Sequence, residues 1–423
     1  MYRVIVRARS DANAVEATVR AFYSGWEIEV ATLHGMRDRE GFLRELREAV
    51  EPDRFNLVLL GRSEAGLMEL EELFGANVAF KLVPKSKVRN ARMHEIARAI
   101  ESCRALLRNT VSWNGAYVFM RGENTFLRDE DPATDLFLGL RGFKETLSEL
   151  LGDPVPETPL VARKRGGLHI VYGGPKPVAS LLIPDMGEVE AEGLSESSEH
   201  TSISRVIEAN VGVLRTFEKL SLRLLEKFSD RGAVVPWSGG KDSTCTLTLA
   251  SKVFGDRLRA VFVDTGLEFD QTLRYVEDVS KRLGVEVEVV QAGLREEVEK
   301  RGLPTLKDRW CTRVKLKALS EAVKKLADRD TVIVVGDRDS ESPLRARRPP
   351  VRVDPLTGLI QVAPIKPWST ALTQLYLAWK DIPINPLYEL GFYRIGCRIC
   401  PALRSWERLV AGRYGIRLEG GKA

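Results

Sequence analysis

The stretch from Ala233 to Cys245 constrains this chain more than any other part of the sequence. It begins with the apolar residues of a buried strand, continues as Trp237-Ser238-Gly239-Gly240-Lys241, and ends in a run that is typical of a helix. Two adjacent glycines let backbone N–H groups point into one small volume, Lys241 adds a positive charge, and a helix start favours an anion. The stretch therefore predicts a loop that cradles phosphate or sulfate.

The loop differs from the Walker pattern, because the first glycine of that pattern is missing before Lys241. The hexamer instead resembles the PP-loop, the pyrophosphate-binding loop of enzymes that act at the α-phosphate of ATP or on adenylyl sulfate. An ordinary strand-to-helix connection is the alternative interpretation. The predicted ligands in this loop are Ser238, Gly239, Gly240, Lys241, Asp242 and Ser243.

Length and composition indicate a water-soluble protein with more than one domain. A chain of 423 residues is long for one hydrophobic core, and 44% hydrophobic with 29% charged residues is typical of a globular protein. Residues 1–7 have the pattern of a strand and not of a signal peptide, so we expect a cytoplasmic protein. The net charge of +5 permits binding to a polyanion, although a solvated charged surface explains it equally well.

Alternating strand-like and helix-like segments predict the domain organisation. Residues 233–335 alternate apolar strands with helices, which predicts an α/β fold with a doubly wound, mostly parallel sheet and ligands at the carboxyl ends of its strands. We expect a small α/β domain at 1–110, a β-rich domain at 111–193, a linker and long helix at 194–231, a catalytic domain at 232–410 and a tail at 411–423.

The first predicted domain carries many positive charges near its end. Eight Lys and Arg residues lie between Lys81 and Arg108 against Glu95 and Glu101. A solvated helix face is the favoured interpretation, and an RNA-binding surface is the alternative. We see no catalytic pattern in residues 111–193.

Further segments after the loop resemble one family, the phosphoadenylyl-sulfate (PAPS) reductase family of PP-loop proteins. Asp264-Thr265-Gly266-Leu267-Glu268-Phe269 follows the second apolar strand and resembles the family's Asp-Thr-Gly-x-Glu-Phe segment. Gly336 to Arg347 resembles its Gly-x-Arg-x-x-Glu-Ser-x-x-Arg stretch. The resemblance implies nucleotide binding by Asp264, Thr265, Gly266, Glu268, Arg338 and Arg345, with Lys241, Asp242, Asp264 and Arg338 as catalytic residues and Mg²⁺ bound by Asp242 or Asp264.

Three cysteines lie in segments where the resemblance implies an iron-sulfur cluster. Cys311 is followed by Cys397 and Cys400 in a Cys-x-x-Cys pattern, which by itself also fits a zinc site or a redox pair. The family's cluster-bearing members have two adjacent cysteines at the first position, where this chain has Trp310 and Cys311. A fourth ligand would then come from Cys245, Cys103 or a non-protein group, as in related enzymes that thiolate transfer RNA with three thiolates.

A second departure concerns the reaction. Sulfonucleotide reductases of the family use a cysteine in a short C-terminal motif, and no cysteine follows Cys400. We therefore expect an enzyme that adenylates an acceptor with release of pyrophosphate during sulfur transfer, with RNA or transfer RNA as a candidate acceptor and a separate sulfur or electron donor protein. The alternatives are a sulfonucleotide reductase that yields sulfite, and a nucleotide- or RNA-binding regulator without turnover.

Overall fold

The computed structural model describes residues 1–36, 38–197 and 199–419. Arg37, Ser198 in the predicted linker and residues 420–423 of the predicted tail lie outside the described residues. None of the helices in this described part is long and apolar enough to cross a membrane.

The first region is a four-stranded parallel sheet covered by helices, as the alternating pattern predicts. The strands lie in the order β2-β1-β3-β4, and a 12-residue 3₁₀ segment at Arg62–Leu73 connects β3 to β4. Its elements are β1 (Tyr2–Val6), α1 (Arg9–Phe22), β2 (Ile28–Thr32), α2 (Arg39–Ala49), β3 (Phe55–Leu60), β4 (Val78–Leu82) and α3 (Met93–Asn109).

The middle region is antiparallel. One sheet has three strands in the order β6-β5-β7, and the other has five in the order β12-β11-β10-β9-β8. Helix α4 differs from the expectation of a β-rich domain, whereas the edge strand β12 ends at Gly193, the last residue predicted for that domain. The elements are β5 (Thr110–Trp113), β6 (Tyr117–Val118), β7 (Thr125–Arg128), β8 (Asp135–Leu138), α4 (Arg141–Leu151), β9 (Leu160–Arg163), β10 (Leu168–Gly173), β11 (Lys176–Leu182) and β12 (Glu190–Gly193).

A long helix, α5 (Ile203–Glu226), leads into the third region and begins at Ser202, whose side chain accepts a hydrogen bond from the Arg205 N–H. The sheet of this region has the order β15-β14-β13-β16-β18-β17, parallel except for β17 at its edge. The predicted doubly wound, mostly parallel α/β sheet is confirmed, although the short β17 and β18 carry no pattern that predicts them.

The sheet strands of the third region are β13 (Gly232–Pro236), β14 (Leu258–Asp264), β15 (Glu286–Gln291), β16 (Thr331–Val334), β17 (Val351–Val353) and β18 (Ile360–Val362). Its helices are α6 (Lys241–Phe254), α7 (Asp270–Leu283), α8 (Leu294–Arg301), α9 (Trp310–Leu326), α10 (Pro343–Ala346), α11 (Thr370–Trp379), α12 (Pro386–Glu389) and α13 (Ser405–Arg413).

The interpretation of the basic segment as a solvated helix face is wrong for two of its arginines. Arg104 and Arg108 on α3 are each only 1% exposed. Arg104 pairs with Glu101 of its own helix and with Asp339 of the third region, and its guanidinium lies 4.3 Å from the Trp26 ring centroid. Neither guanidinium faces solvent, so neither contributes to an RNA-binding surface.

The regions share one large hydrophobic cluster that contains strand residues from the sheets of the first and third regions and the apolar face of α5. The middle region is tied to the third by side-chain hydrogen bonds. Gln374 on α11 bonds the backbone of Leu138 in both directions, at 2.9 Å and 3.1 Å. These bonds place β8 beside the carboxyl ends of the strands of the third region, where the predicted loop lies.

Candidate functional site

The predicted loop connects β13 to α6 and is held by two neighbouring helices. Gly239 has a φ of +69°, which glycine adopts without strain, and a Cβ there would lie 3.0 Å from Thr272 on α7. The Asn385 amide donates to the Gly239 carbonyl at 3.2 Å and to the Thr272 hydroxyl at 2.9 Å. The loop is therefore fixed on its outer side, while its inner side faces a cleft.

The first turn of α6 presents the polar groups of the loop. Gly240 is the N-cap residue and makes no side-chain cap bond, and of the first N–H groups that of Lys241 donates to the Tyr388 hydroxyl at 3.3 Å. The Ser243 hydroxyl donates to the Gly240 carbonyl at 3.0 Å, accepts from the Ser238 N–H at 3.3 Å and lies 3.1 Å from the Ser238 hydroxyl. Uncapped N–H groups at a helix N-terminus and two hydroxyls at this end favour an anion.

Lys241 is buried at the start of α6. Its Nζ donates to Asp242 at 3.0 Å and lies 5.3 Å from the Tyr388 ring centroid. Burial lowers the pKa of Lys241, but the Asp242 carboxylate and Tyr388 together outweigh it, and the pKa is raised overall. The side chain therefore stays protonated beside the loop.

Arg338 does not present a free guanidinium to the cleft. Its Nε donates to Asp242 at 2.8 Å, and its Nη1 donates to both carboxylate oxygens of Asp135 at 3.1 Å. Further bonds go to Ser340 and to Thr370, at 2.9 Å and 2.8 Å. Because its N–H groups are taken up by protein partners, we interpret Arg338 as a residue that positions Asp242, rather than the phosphate ligand that the sequence predicts.

Asp135 is the second anchor of this bridge, and the sequence interpretation missed it. It accepts from the backbone N–H and the hydroxyl of Thr370 at the start of α11, in addition to Arg338. Burial raises the pKa of Asp135, but Arg338, Arg163 and the two Thr370 hydrogen bonds together outweigh burial and hold the pKa below its usual range. A charged residue that opens the apolar strand Asp135-Leu136-Phe137-Leu138 was the available signal.

The loop opens into a cleft of about 1020 Å³. Of the predicted nucleotide ligands, it is lined by Ser238, Gly240, Lys241, Asp242, Ser243, Arg338 and Arg345. Its lining also includes arginines that the sequence prediction did not assign to the nucleotide, namely Arg163, Arg309, Arg348, Arg352, Arg394 and Arg404. The cleft is therefore large enough for a nucleotide and strongly basic, which favours an anionic ligand.

The cluster around Asp337 supplies part of this charge. The Asp337 carboxylate lies 3.4 Å from Arg345, 3.5 Å from Arg348 and 2.8 Å from Arg352. Arg345 also pairs with Glu341. Burial raises the pKa of Asp337, but the three guanidinium groups outweigh it and lower the pKa overall. Three cations against two carboxylates leave this wall of the cleft positive.

The predicted Asp264 segment lies at the end of β14, next to the strand that carries the loop. Asp264 accepts from the Gly266 N–H at 2.8 Å and from Gln291 at 2.9 Å, and Gly266 has a φ of +71°. The Thr265 hydroxyl donates to Glu268 at 2.9 Å. The predicted nucleotide ligands that do not line the cleft are Asp264, Thr265, Gly266, Glu268 and Gly239. Their role toward a nucleotide stays a prediction.

The three predicted metal-ligating thiols share a small apolar cluster. Cys311 and Cys397 are buried in it, and Cys400 packs against it. A Cβ at Gly396 would lie 2.8 Å from the Cys400 Sγ, so glycine leaves room there. Burial raises the pKa of Cys397 to about 11. Among the described residues, however, no three Cys, His, Asp or Glu side chains are grouped so that they could hold a metal ion.

The two other candidate thiolate ligands lie elsewhere. Cys103 and Cys245 are fully buried in the large shared cluster, and Cys103 donates to the Ala79 carbonyl at 3.0 Å. Burial raises the pKa of both thiols well above the ordinary value. Of the three sources of a fourth ligand, a non-protein group is the one that agrees with this placement.

Comparison with known proteins extends the likeness beyond the loop. The model of the phosphoadenosine phosphosulfate reductase domain matches residues 232–403. An adenosine 5'-phosphosulfate reductase of Rhizobium tropici is 30% identical over 162 residues, which cover 36% of this chain and 88% of that protein. A crystal structure of phosphoadenylyl-sulfate reductase from Candida auris in a phosphate complex is 21% identical, covers 49% of this chain and 98% of that one, and has a TM-score of 0.35.

Other relatives extend beyond the matched segment. An uncharacterized protein of Methanocaldococcus jannaschii is 35% identical over 208 residues, which are 48% of this chain. The chain spans about half the length of this relative and of a second one from the same organism, 43% and 52% respectively.

Proposed function

The chain belongs to the phosphoadenosine phosphosulfate reductase family of PP-loop proteins, and from that premise we propose that it is an enzyme that binds ATP or an adenylyl-sulfate-type nucleotide and acts at the α-phosphate. The observation that carries the proposal is the opening of the Ser238–Ser243 loop and the charged Lys241 into a basic cleft. Lys241 and the N–H groups of the first turn would hold the β- and γ-phosphates, or the sulfate of adenylyl sulfate.

In the proposed reaction an acceptor oxygen attacks the α-phosphorus of ATP. The new bond joins that oxygen to phosphorus, the bond between the α-phosphorus and the bridging oxygen breaks, and pyrophosphate leaves while the acceptor proton passes to solvent. With the β- and γ-phosphates held by the loop, Lys241 would lie beside the leaving group as negative charge grows on it, which is where a fixed cation accelerates such a step. The adenylated acceptor would then be open to displacement by sulfur.

Mg²⁺ would offset the charge of the phosphates when bound. Among the described residues Asp264 has no cationic partner but does not line the cleft, whereas Asp242 lines the cleft and already accepts from Lys241 and Arg338, so both stay proposed ligands. Carboxylate oxygens are the protein ligands that Mg²⁺ prefers.

We test the reaction with two substrates in parallel. The purified protein is incubated with ATP and Mg²⁺, where water replaces the unknown acceptor, and separately with adenylyl sulfate and a thiol reductant. AMP with pyrophosphate from ATP supports adenylyl transfer. Sulfite without pyrophosphate release supports sulfonucleotide reduction, and binding of ATP with no product from either substrate supports a regulator.

Sulfonucleotide reduction is the second candidate because relatives that bear that name match this chain at 30% identity. It needs a thiol nucleophile to attack the sulfate sulfur, and no cysteine follows Cys400 to supply it. A thiol from outside the chain or another of its cysteines would take that part. Omitting the external thiol from the assay therefore distinguishes the two sources, since a single turnover of sulfite would still form if a cysteine of the chain is the nucleophile.

We further propose that Cys311, Cys397 and Cys400 hold an iron-sulfur cluster, with zinc as the alternative and a Cys397–Cys400 redox pair as the third reading. Three thiols in one apolar cluster are the donor type that both metals prefer. Their spacing in the structure does not yet form a metal-binding group, so no step of the reaction is drawn through it.

Anaerobic purification followed by iron, sulfide and zinc analysis tests this site. About four irons per chain support a cluster, and one zinc per chain supports the alternative. Cys397→Ser should abolish metal retention. Cys103→Ser is the matched control, because a hydroxyl can keep the bond to the Ala79 carbonyl and the residue lies in another part of the core. Metal lost equally in both variants, or kept in both, would contradict the assignment.

A further inference from the structure

The middle antiparallel sheet supplies one wall of the cleft. Asp135 and Phe137 of β8 and Arg163 at the end of β9 line it together with the PP-loop. These strands precede the segment matched by the family model, which begins at residue 232. The wall is therefore an addition to the matched region, and its side chains are free to recognise something other than the nucleotide.

Three arginines converge on this wall from separate segments. Arg163 comes from β9, Arg394 precedes the Cys-x-x-Cys turn, and Arg404 precedes α13. Arg163 donates to the Ser340 carbonyl at 2.5 Å, and Arg404 lies 3.0 Å from Asp185. In the described part of the chain, no carboxylate lies within ion-pair distance of Arg394. Asp135 lies 3.9 Å from Arg163 but is shared with Arg338 at 3.1 Å, so the arginines leave a net positive charge here.

A pair of aromatic rings forms the floor between these arginines. Phe137 and Tyr393 stack with centroids 5.7 Å apart and an interplanar angle of 22°, and both line the cleft. The Tyr393 hydroxyl is buried and has no hydrogen-bond partner among the described residues. Burial and the neighbouring Glu407 raise the pKa of Tyr393, while Arg404, Arg163 and Arg394 lower it, and all three arginines line the cleft with Tyr393. A buried hydroxyl without a partner is costly, so a ligand atom that pairs with it would be favoured.

The three arginines and the two stacked rings form a corner of the cleft that is separate from the loop but adjacent to it. The Arg338 guanidinium stands between Asp242, at the start of α6, and Asp135, at the start of β8. Phe137, Tyr393, Tyr388 and Lys241 nevertheless line one small second cavity, so the corner and the loop meet. A group held in the corner would lie next to a phosphate held by the loop.

We propose that Arg163, Arg394, Arg404 and Tyr393 form a subsite for an oxyanion of the acceptor, a phosphate or a carboxylate attached to a planar ring. The inference rests on the proposed function, because it assigns the second substrate of that reaction. Guanidinium groups match both oxyanions through paired N–H donors, and a neighbouring aromatic floor suits a ring.

The test uses protein saturated with α,β-methylene ATP, so that the loop is occupied, and titrates phenyl phosphate, benzoate and inorganic phosphate by calorimetry. Arg394→Gln and Arg163→Gln should weaken binding of the preferred ring anion at least tenfold. Affinity for the ATP analogue should change less than twofold. The matched control is Arg165→Gln, which removes an exposed arginine paired with Asp131, two residues along the chain and outside the cleft.

The outcomes separate the two proposals. Failure of the wild-type protein to bind either the ATP analogue or adenylyl sulfate would overturn the proposed function itself. Normal analogue binding with no binding of the probes, or with equal binding in all variants, would overturn the subsite alone. A parallel loss of analogue and probe affinity would assign the arginines to the nucleotide. Tighter binding of phenyl phosphate or of benzoate then tells which oxyanion the acceptor carries.

Discussion

In the parallel sheets of the first and third regions, the first strand in chain order, β1 or β13, is followed by a helix. Only the connection after β13 forms a loop that can hold an anion. In the first region two residues join β1 to α1, and Arg7 closes the strand end by bonding the Gly35 carbonyl at 3.0 Å and pairing with Glu64. In the third region four residues join β13 to α6, with Gly239 in the left-handed conformation.

The comparison teaches that the architecture does not by itself create the site. Both sheets place helix N-termini at the carboxyl ends of their strands, but an ion pair fills that position in the first sheet. Glycines in the third sheet leave it open and put Lys241 beside it. Function in such folds lies in the loops that they carry.

Substituting Arg104, which joins the two sheets, tests how independent they are and should have the largest effect. Asp339 is 2% exposed, and without Arg104 it would keep Lys366 at 2.8 Å as its ionic partner. We expect Arg104→Met to lower the free energy of unfolding by about 3–5 kcal/mol, measured by urea denaturation. Nucleotide affinity should also fall, because Asp339 follows Arg338 directly in the chain.

Arg7→Met is the control for this prediction, because its pair with Glu64 lies wholly within the first region. It should reduce stability and leave nucleotide affinity unchanged. If Arg104→Met behaves in the same way, the first sheet does not influence the site.

Lys241→Ala tests the open loop itself. Loss of a buried charge next to developing negative charge should lower the turnover of ATP about 100- to 1000-fold, measured as pyrophosphate release. Arg7→Met, at the corresponding strand end of the first sheet, should leave turnover within twofold of the wild-type rate. Full activity of Lys241→Ala would remove the lysine from the mechanism and reduce the loop to an ordinary connection.

The sequence predicts those parts of both sheets that depend on local patterns. Apolar strands such as Phe55–Leu60 alternate with amphipathic helices, and the glycine loop is a contiguous motif, so both are readable from neighbouring residues. Strands β17 and β18 have three residues each, too few for a periodic pattern.

The opposite wall of the cleft is not readable in this way. Arg338 and Asp135 are 203 residues apart in the chain, and the buried contact that joins Arg104 to Asp339 spans 235 residues. Nothing local distinguishes Arg104 from a solvated arginine, because its burial results from how α3 packs on the third region. Chain-distant ion pairs are therefore the features of the site that sequence reasoning missed.

A buried glutamate in the first region and one in the third differ in how their charge is compensated. Glu71 in the first region pairs with Arg121 and Arg128, at 2.9 Å and 2.8 Å. Glu407 on α13 is fully buried, and its Oε1 has no hydrogen-bond partner among the described residues. Burial raises the pKa of Glu407 to about 7 from an ordinary value of 4.5. The fold therefore favours its neutral form.

The sign of the pH dependence follows from this raised pKa. Below pH 4.5 the carboxyl group is neutral in the folded and unfolded states, and its contribution to stability is fully present. As pH rises toward 7 the unfolded state ionises first, so stability falls by about 3 kcal/mol and then levels off. Glu407→Gln keeps an acceptor for the Arg404 N–H and should remove this slope in urea denaturation, whereas the exposed Glu299→Gln should retain it. An unchanged slope in Glu407→Gln would assign the pH dependence to another group.

Two glycines that lie close to neighbouring backbone, one in each of the two regions, allow the mildest test of the difference between the two sheets. A Cβ at Gly336, after β16, would lie 2.9 Å from the Asp242 carbonyl, and a Cβ at Gly61, after β3, would lie 2.1 Å from the Ser86 carbonyl. Alanine at either position overpacks the structure, and we expect each variant to lose about 1–3 kcal/mol of unfolding free energy, with Gly61→Ala at the upper end because its contact is closer.

Only one of the two variants should alter nucleotide binding. Gly336→Ala pushes on the first turn of α6, where Asp242 and Ser243 follow Lys241, so affinity for α,β-methylene ATP should fall several-fold by calorimetry. Gly61→Ala disturbs the corresponding end of the first sheet, which has no open loop, and affinity should stay at the wild-type value. Both variants are expected to lose stability, so only nucleotide affinity distinguishes the two strand ends. Equal loss of affinity in both would mean that the sheet of the first region also takes part in the site.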